Sequence, residues 1–312
     1  MPNDKIVTVV TPHGFCAGVV RAIDTAEAAL KRFGAPLYCL NEVVHNRQVV
    51  DKLTAQGVIF VRDLEAIPPH SVVLFSAHGV SPETSSIARK RKLNIIDATC
   101  PFVAKVHAEV RRYASRGYAI LLIGHRTHEE IFGVRGEAPE AVTVIQTAED
   151  ARVVMLPQTE RVAVLTQTTL SVDESERILS VLKGRFPLLE RPAKTDICYA
   201  TEHRQEAVKT LATVSDLILV LGSSNSSNSR RLVEVATRTG CSASLISDLQ
   251  DLSKIDFSST NHVGITSGAS TPESFLEACV QQLSAQGFKR GATLTAVHEE
   301  QVRFPLPRDV RV

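Results

Sequence analysis

Short apolar runs alternate along this chain with longer stretches whose apolar residues recur every three to four positions. Ile6 to Val10, Pro36 to Leu40, Val72 to Phe75, Ile95-Ile96, Ala119 to Ile123, Val162 to Leu165, Leu217 to Leu221 and Val263 to Thr266 have the length and continuity of buried strands. Val19 to Phe33, Val103 to Arg116 and Thr201 to Ala212 carry helical spacing. Ser81-Pro82-Glu83 and Thr271-Pro272-Glu273 predict helix starts, each a capping residue followed by proline at the first helical position. Ser171-Val172-Asp173-Glu174 has a capping-box pattern. Strands alternating with helices predict the α/β class.

The alternation repeats three times. Cys16, Cys100 and Cys198 each follow strand-like residues and precede a helical stretch. A strand with a polar end comes next, leading to His45, His128 and Ser226 at offsets of 29, 28 and 28 residues from the cysteine. A second strand end leads to His78, Thr168 and Ser270, at offsets of 62, 68 and 72. Spacings of 84 and 98 residues between the cysteines are long for a solenoid repeat and fit three small α/β lobes. The expected partition is lobe 1 at residues 1–97, with the tail 289–312 packing back on the core, lobe 2 at 98–193 and lobe 3 at 194–288. Ligands of open α/β sheets bind beyond the carboxyl ends of the strands, so converging strand ends would gather three cysteines and six polar loops.

Composition narrows the classes. The 312 residues exceed one small domain, and 35 Lys plus Arg against 34 Asp plus Glu exclude a strongly basic nucleic-acid binder. The strongest apolar run, Ala119 to Ile123, is far below the roughly 20 residues of a membrane helix. The start, Met1-Pro2-Asn3-Asp4-Lys5, lacks a signal-peptide apolar region, so a cytoplasmic protein is expected.

In that compartment six cysteines are thiols rather than disulfides. Cys39, Cys241 and Cys279 lie in apolar or helix-end settings and read as small core residues. Cys16, Cys100 and Cys198 sit where the helix dipole favours a thiolate and metal ligation. Three thiolates with no fourth matched ligand suggest a soft-metal site with a vacant position, an iron–sulfur cluster or zinc. Structural zinc normally shows closely paired ligands, which this chain lacks, although His13 and His203 flank two of the cysteines.

The polar loops supply hydrogen-bond donors suited to an anion such as a diphosphate, and helix starts add backbone N–H groups. Glu129 and Glu130 are the carboxylates near the end of the run Ala119 to Ile123, and a carboxyl there could deliver protons. His70, His107, His125, His262 and His298 carry no positional signal and read as structural. Neither G-x-G-x-x-G after a strand nor a P-loop occurs.

Seven ordered motifs give a resemblance. Gly14-Phe15-Cys16-Ala17-Gly18-Val19, Glu42-Val43-Val44-His45-Asn46, Phe75-Ser76-Ala77-His78-Gly79-Val80, Asp97-Ala98-Thr99-Cys100-Pro101, Thr166-Gln167-Thr168-Thr169-Leu170-Ser171, Asp196-Ile197-Cys198-Tyr199-Ala200-Thr201 and Ser226-Ser227-Asn228-Ser229 resemble the LytB family, the 4-hydroxy-3-methylbut-2-enyl diphosphate reductases, across residues 5 to 310. The resemblance implies a trefoil of three pseudo-threefold-related α/β lobes around a central 4Fe–4S cluster. It implies a cytoplasmic oxidoreductase at the last step of the methylerythritol phosphate (MEP) pathway of isoprene biosynthesis. There the allylic hydroxyl is removed with two electrons and two protons, giving isopentenyl diphosphate and dimethylallyl diphosphate. It further implies Cys16, Cys100 and Cys198 as cluster ligands with one open iron. His45, His78, Ser226, Asn228 and Ser270 would hold the diphosphate, with Ser227 close by. Glu130 would supply protons, with Thr168 on the substrate hydroxyl and His128 in the same network. A ferredoxin or flavodoxin is the implied electron donor, and no membrane or nucleic acid is involved. His13, Glu129 and His203 depart from the Arg, Pro and Asn of the family pattern. Two other classes share these residues: a non-redox iron–sulfur hydro-lyase and a cluster-based sensor.

Overall fold

In the computed structural model of the chain, which describes residues 5–157, 160–298 and 302–311, the apolar runs become parallel strands and the amphipathic stretches become helices. β1 (Ile6–Thr11) leads to Cys16. Between Cys16 and Cys100 run α1 (Ala17–Phe33), β2 (Leu37–Leu40), α2 (Arg47–Ala55), β3 (Val58–Val61), β4 (Val72–Phe75), α3 (Pro82–Lys90) and β5 (Asn94–Asp97). Between Cys100 and Cys198 run α4 (Pro101–Ser115), β6 (Ala119–Ile123), α5 (Glu129–Arg135), β7 (Val142–Ile145), α6 (Ala148–Val153), β8 (Val162–Thr166) and α7 (Val172–Arg185). After Cys198 come α8 (Tyr199–Ala212), β9 (Leu217–Leu221), α9 (Ser227–Arg238), β10 (Ser242–Ile246), β11 (His262–Ser267), α10 (Glu273–Ala285), β12 (Lys289–Arg290) and β13 (Leu294–Thr295). The three helical stretches and the strands expected from the pattern are present, in an α/β fold of three sheet-centred lobes.

The described residues divide into two compact units. One holds residues 18–44, 50–198 and 303–312 and contains two sheets, ordered β3-β2-β4-β5 and β7-β6-β8. The continuous apolar run of β6 follows from burial on both faces, as a parallel strand between helices requires. Ile120 and Leu122 pack with Val106, Val110 and Tyr113 of α4, whereas Leu121 and Ile123 pack with Ile178, Leu179 and Leu182 of α7. Each such side chain contributes about 1.5–3 kcal/mol by leaving water. In the second sheet Glu190 bridges to Ala163, in the place that β5 fills in the first. The chain end returns to this unit. Arg21 Nε donates to Pro305 O at 2.9 Å, and Phe304 packs edge-on to Phe102.

The other unit holds residues 1–17, 45–49 and 199–302. Its sheet runs β10-β9-β11-β1-β12, with β13 also on β1. Ile6 stands opposite His262 and Lys289, so the first strand joins the last sheet. This corrects the partition that placed residues 6–11 with residues up to 97. Apolar pattern specifies that β1 is a strand, but its partner lies more than 250 residues away and leaves no local trace. β1 thus takes the place in its sheet that β5 takes in the first.

A second difference concerns helix α10. Its N-cap is Pro272, and Thr271 Oγ1 donates instead to Leu221 O at 3.0 Å. Ser81 and Ser171 cap as expected, accepting from Thr84 N and Glu174 N. Among the described residues, no helix is long and apolar enough to cross a membrane.

Candidate active site

The three motif cysteines share one local architecture. Cys16 directly precedes α1, Cys100 is the N-cap of α4 and Cys198 directly precedes α8. The backbone N–H of each donates into the loop beyond the neighbouring strand. Cys16 N reaches Ala269 O (3.1 Å), Cys100 N reaches Ala77 O (2.9 Å) and Cys198 N reaches Thr168 O (3.2 Å). Each acceptor is the second residue past the end of its strand: β11, β4 and β8. The sequence shows the cysteines and these loops, but not that each cysteine is tied to the loop of the sheet before it.

Burial separates two sets of thiols. Cys16, Cys100 and Cys198 are partly exposed, and all six cysteines are unbridged. Cys39, Cys241 and Cys279 are buried; burial pushes the Cys279 thiol up to about 12 and raises Cys39 and Cys241 as well. Three accessible soft donors at helix starts suit iron–sulfur ligation. His13 offers no match for zinc. Its Nδ1 donates to Val10 O at 2.7 Å and its Nε2 meets Glu273 Oε2 at 3.0 Å, which occupies both ring nitrogens.

In the larger unit, α5 places an acid. Glu130 is 1% exposed. Thr168 N donates to Oε1 at 2.8 Å and Thr168 Oγ1 donates to Oε2 at 2.9 Å. Burial disfavours the charged carboxylate, and the Thr168 hydrogen bonds only partly oppose it, so Glu130 is pushed up to about 7. Asp196 adds a weaker like-charge push. Asp196 is itself raised by burial against the opposing Lys105, and accepts from Lys105 Nζ at 3.0 Å and Thr166 N at 3.1 Å. His128 caps α5 by accepting from Glu130 N through Nδ1 at 3.1 Å, which leaves the ring proton of the neutral form on Nε2. Its ring stands edge-on to His78, with centroids 5.6 Å apart.

Glu129 turns away from Glu130's partner. Its Oε2 lies 3.2 Å from His78 Nδ1. Successive residues of a helix point about 100° apart, so two adjacent carboxylates reach different loops. Glu130, Thr168, His128 and His78 are thus brought together, with Cys198 joined to Thr168 through its backbone.

In the smaller unit, Ser226 caps α9, its Oγ accepting from Ser229 N at 3.3 Å, and Ser227 and Asn228 occupy the first turn. Asn228 Oδ1 accepts from Ala269 N at 3.0 Å, the loop residue whose carbonyl receives Cys16. Asn228 Nδ2 is buried and has no hydrogen-bond partner. A buried amide donor without a partner at a helix start is a place for an anion oxygen. Ser270 Oγ donates to His45 O at 3.0 Å, tying those two candidate residues together.

The family model described as LytB protein matches residues 7–284. The 4-hydroxy-3-methylbut-2-enyl diphosphate reductase of Rhodopirellula baltica is 47% identical over 305 residues, covering 98% of this chain and 95% of that one. The enzyme of that name from Acidothermus cellulolyticus is 48% identical over 314 residues, covering 100% and 91%. The solved structure of the E-1-hydroxy-2-methyl-but-2-enyl-4-diphosphate reductase from Plasmodium falciparum superposes with a TM-score of 0.95 at 38% identity, covering 98% of this chain and 97% of that one.

Proposed function

The chain belongs to the LytB family, which implies an iron–sulfur cluster, and on that premise we propose that it is a 4-hydroxy-3-methylbut-2-enyl diphosphate reductase. It converts (E)-4-hydroxy-3-methylbut-2-enyl diphosphate, two electrons and two protons into isopentenyl or dimethylallyl diphosphate and water. This is the terminal step of the non-mevalonate route. We assign the cofactor as a 4Fe–4S cluster held by Cys16, Cys100 and Cys198 with one open iron, in support of which the three thiols occupy equivalent places. A cytoplasmic location and a ferredoxin or flavodoxin donor complete the reading.

When bound, the cluster supplies the two electrons and a Lewis-acidic iron for the substrate hydroxyl. Ser226, Ser227, Asn228, Ser270, His45 and His78 hold the diphosphate, with the buried Asn228 Nδ2 as one donor. Glu130 and Thr168 move the proton. With Glu130 ionised, Thr168 Oγ1 donates to Oε2 at 2.9 Å. With Glu130 protonated on Oε2, the direction reverses and the Thr168 hydroxyl is released to donate to the departing oxygen. His128 caps α5 and holds Glu130 in register. A proton at either end of the allylic unit yields the two products.

The observation that carries this reading is the buried Glu130–Thr168 pair, one backbone hydrogen bond from Cys198. The test is anaerobic purification with iron count and visible spectrum, followed by substrate with and without dithionite. Turnover confined to the reduced sample supports the reductase. Turnover without reductant would make the protein a hydro-lyase, and an intact cluster without turnover would make it a sensor.

A further inference from the structure

We propose that His107, oriented by Glu137, is a positioning residue that fixes the corner carrying His78 against α5, the helix that carries Glu130. The inference rests on the reading of His78 as a diphosphate ligand. His107 lies on α4, two turns beyond Cys100, and is 6% exposed. Its Nδ1 donates to Glu137 Oε1 at 2.7 Å. Arg111 NH1 reaches the same oxygen at 2.7 Å, so the carboxylate that aims the ring is itself anchored on α4. Glu137 follows the end of α5, so the pair joins α4 to α5.

The far edge of the ring faces two glycines. A methyl group at Gly79, the residue after His78, would fall 2.9 Å from His107 Nε2. A methyl at Gly133, three residues after Glu130 on α5, would fall 3.3 Å from His107 Cε1 and 3.4 Å from the Gly79 carbonyl. The imidazole is therefore a spacer at the point where the His78 corner crosses α5.

Two locally unfavourable choices, Gly133 and His107, meet here beside a turn that suits glycine. Gly79 has φ +74°, a backbone that side chains rarely adopt. Gly133 is a glycine inside a helix. His107 Nε2 is buried without a hydrogen-bond partner. Leucine or phenylalanine at 107 and alanine at 133 would suit an ordinary core. A cluster of local costs beside a site marks a geometry retained for function rather than stability.

The experiment compares His107→Asn, Glu137→Ala, Glu137→Gln and His78→Ala as cluster-loaded enzymes. Kd for inorganic diphosphate is measured by calorimetry and KM and kcat with reductant. Asparagine keeps a donor toward Glu137 and removes the spacer; glutamine at 137 keeps the acceptor. Expected are rises of about tenfold in Kd and KM for His107→Asn and Glu137→Ala, the scale of one misplaced charged hydrogen bond, with values near wild type for Glu137→Gln. The pH at which kcat falls stays in place, because Glu130 keeps Thr168. Unchanged Kd and KM in His107→Asn and Glu137→Ala, beside a rise in His78→Ala, would overturn the positioning role alone. Unchanged values in His78→Ala would overturn the reading of His78 beneath it. If His107→Asn fails to fold, the Glu137 pair decides.

Discussion

Glu130→Gln separates the electrostatics of the acid from its shape. Glutamine can accept the Thr168 N–H through its oxygen and donate to Thr168 Oγ1 through its amide, so the buried contacts persist. What disappears is titration. The folded carboxyl is raised by burial from 4.5 to about 7, so between those values the unfolded chain is ionised while the folded protein keeps its proton. The folded state then binds more protons, and stability falls as pH rises. This contribution is complete below pH 4.5, is lost as pH rises through about 7, and changes no further above it. At about 1.4 kcal/mol per pH unit, the ionised carboxylate costs about 3 kcal/mol. Urea unfolding of wild type and variant at fixed cluster content, followed by far-ultraviolet circular dichroism from pH 4.5 to 8.5, reads the difference with other groups cancelled. Glu130→Gln gains about 3 kcal/mol relative to wild type across that range. Turnover in the wild type falls above pH 7 as the proton is lost, and the variant keeps little turnover and no such limb. A stability difference that is flat with pH, or that moves the other way, would refute the buried-acid reasoning.

Other outcomes follow from the same geometry. Alanine at Cys16, Cys100 or Cys198 abolishes bound iron by chemical iron count, whereas alanine at Cys39, Cys241 or Cys279 keeps the iron at a stability cost of about 1–2 kcal/mol in urea. Retained iron in Cys100→Ala would remove that thiol from the ligand set. Glu129→Gln leaves the turnover limb near pH 7 in place, because that limb belongs to Glu130; its disappearance would reassign the acid. Asn228→Ala raises KM for the diphosphate about tenfold with cluster content unchanged, since a donor to a charged oxygen is worth about 1.5–3 kcal/mol. An unaltered KM would mean that the orphaned amide faces something other than substrate.

How far the sequence reaches depends on the range of each interaction. β6 was legible because a strand buried on both faces must be apolar at every position, and Ala119 to Ile123 is. The cysteines were legible as a set because each opens a helix at a matched interval. Ownership of the cysteines was not. Each hangs on the loop of the preceding sheet, and for Cys16 that sheet is built from the far end of the chain, through β1 against β11. A repeat counted from one cysteine to the next therefore misses a closure, since the first strand completes the sheet of β9, β10 and β11. No periodicity encodes that closure, because strand partnership is decided by packing across the whole chain. The acid illustrates the same limit at short range. Glu129 and Glu130 are equivalent by composition and adjacent in sequence; only the turn of α5 gives one to His78 and the other to Thr168. His107 shows the opposite case, since its partner Glu137 is 30 residues away and its role is visible only through the glycines it touches. The candidate residues were chosen by type and spacing, whereas the partners that hold them, such as Glu137 and the loop carbonyls beneath the cysteines, lie across the fold and needed it.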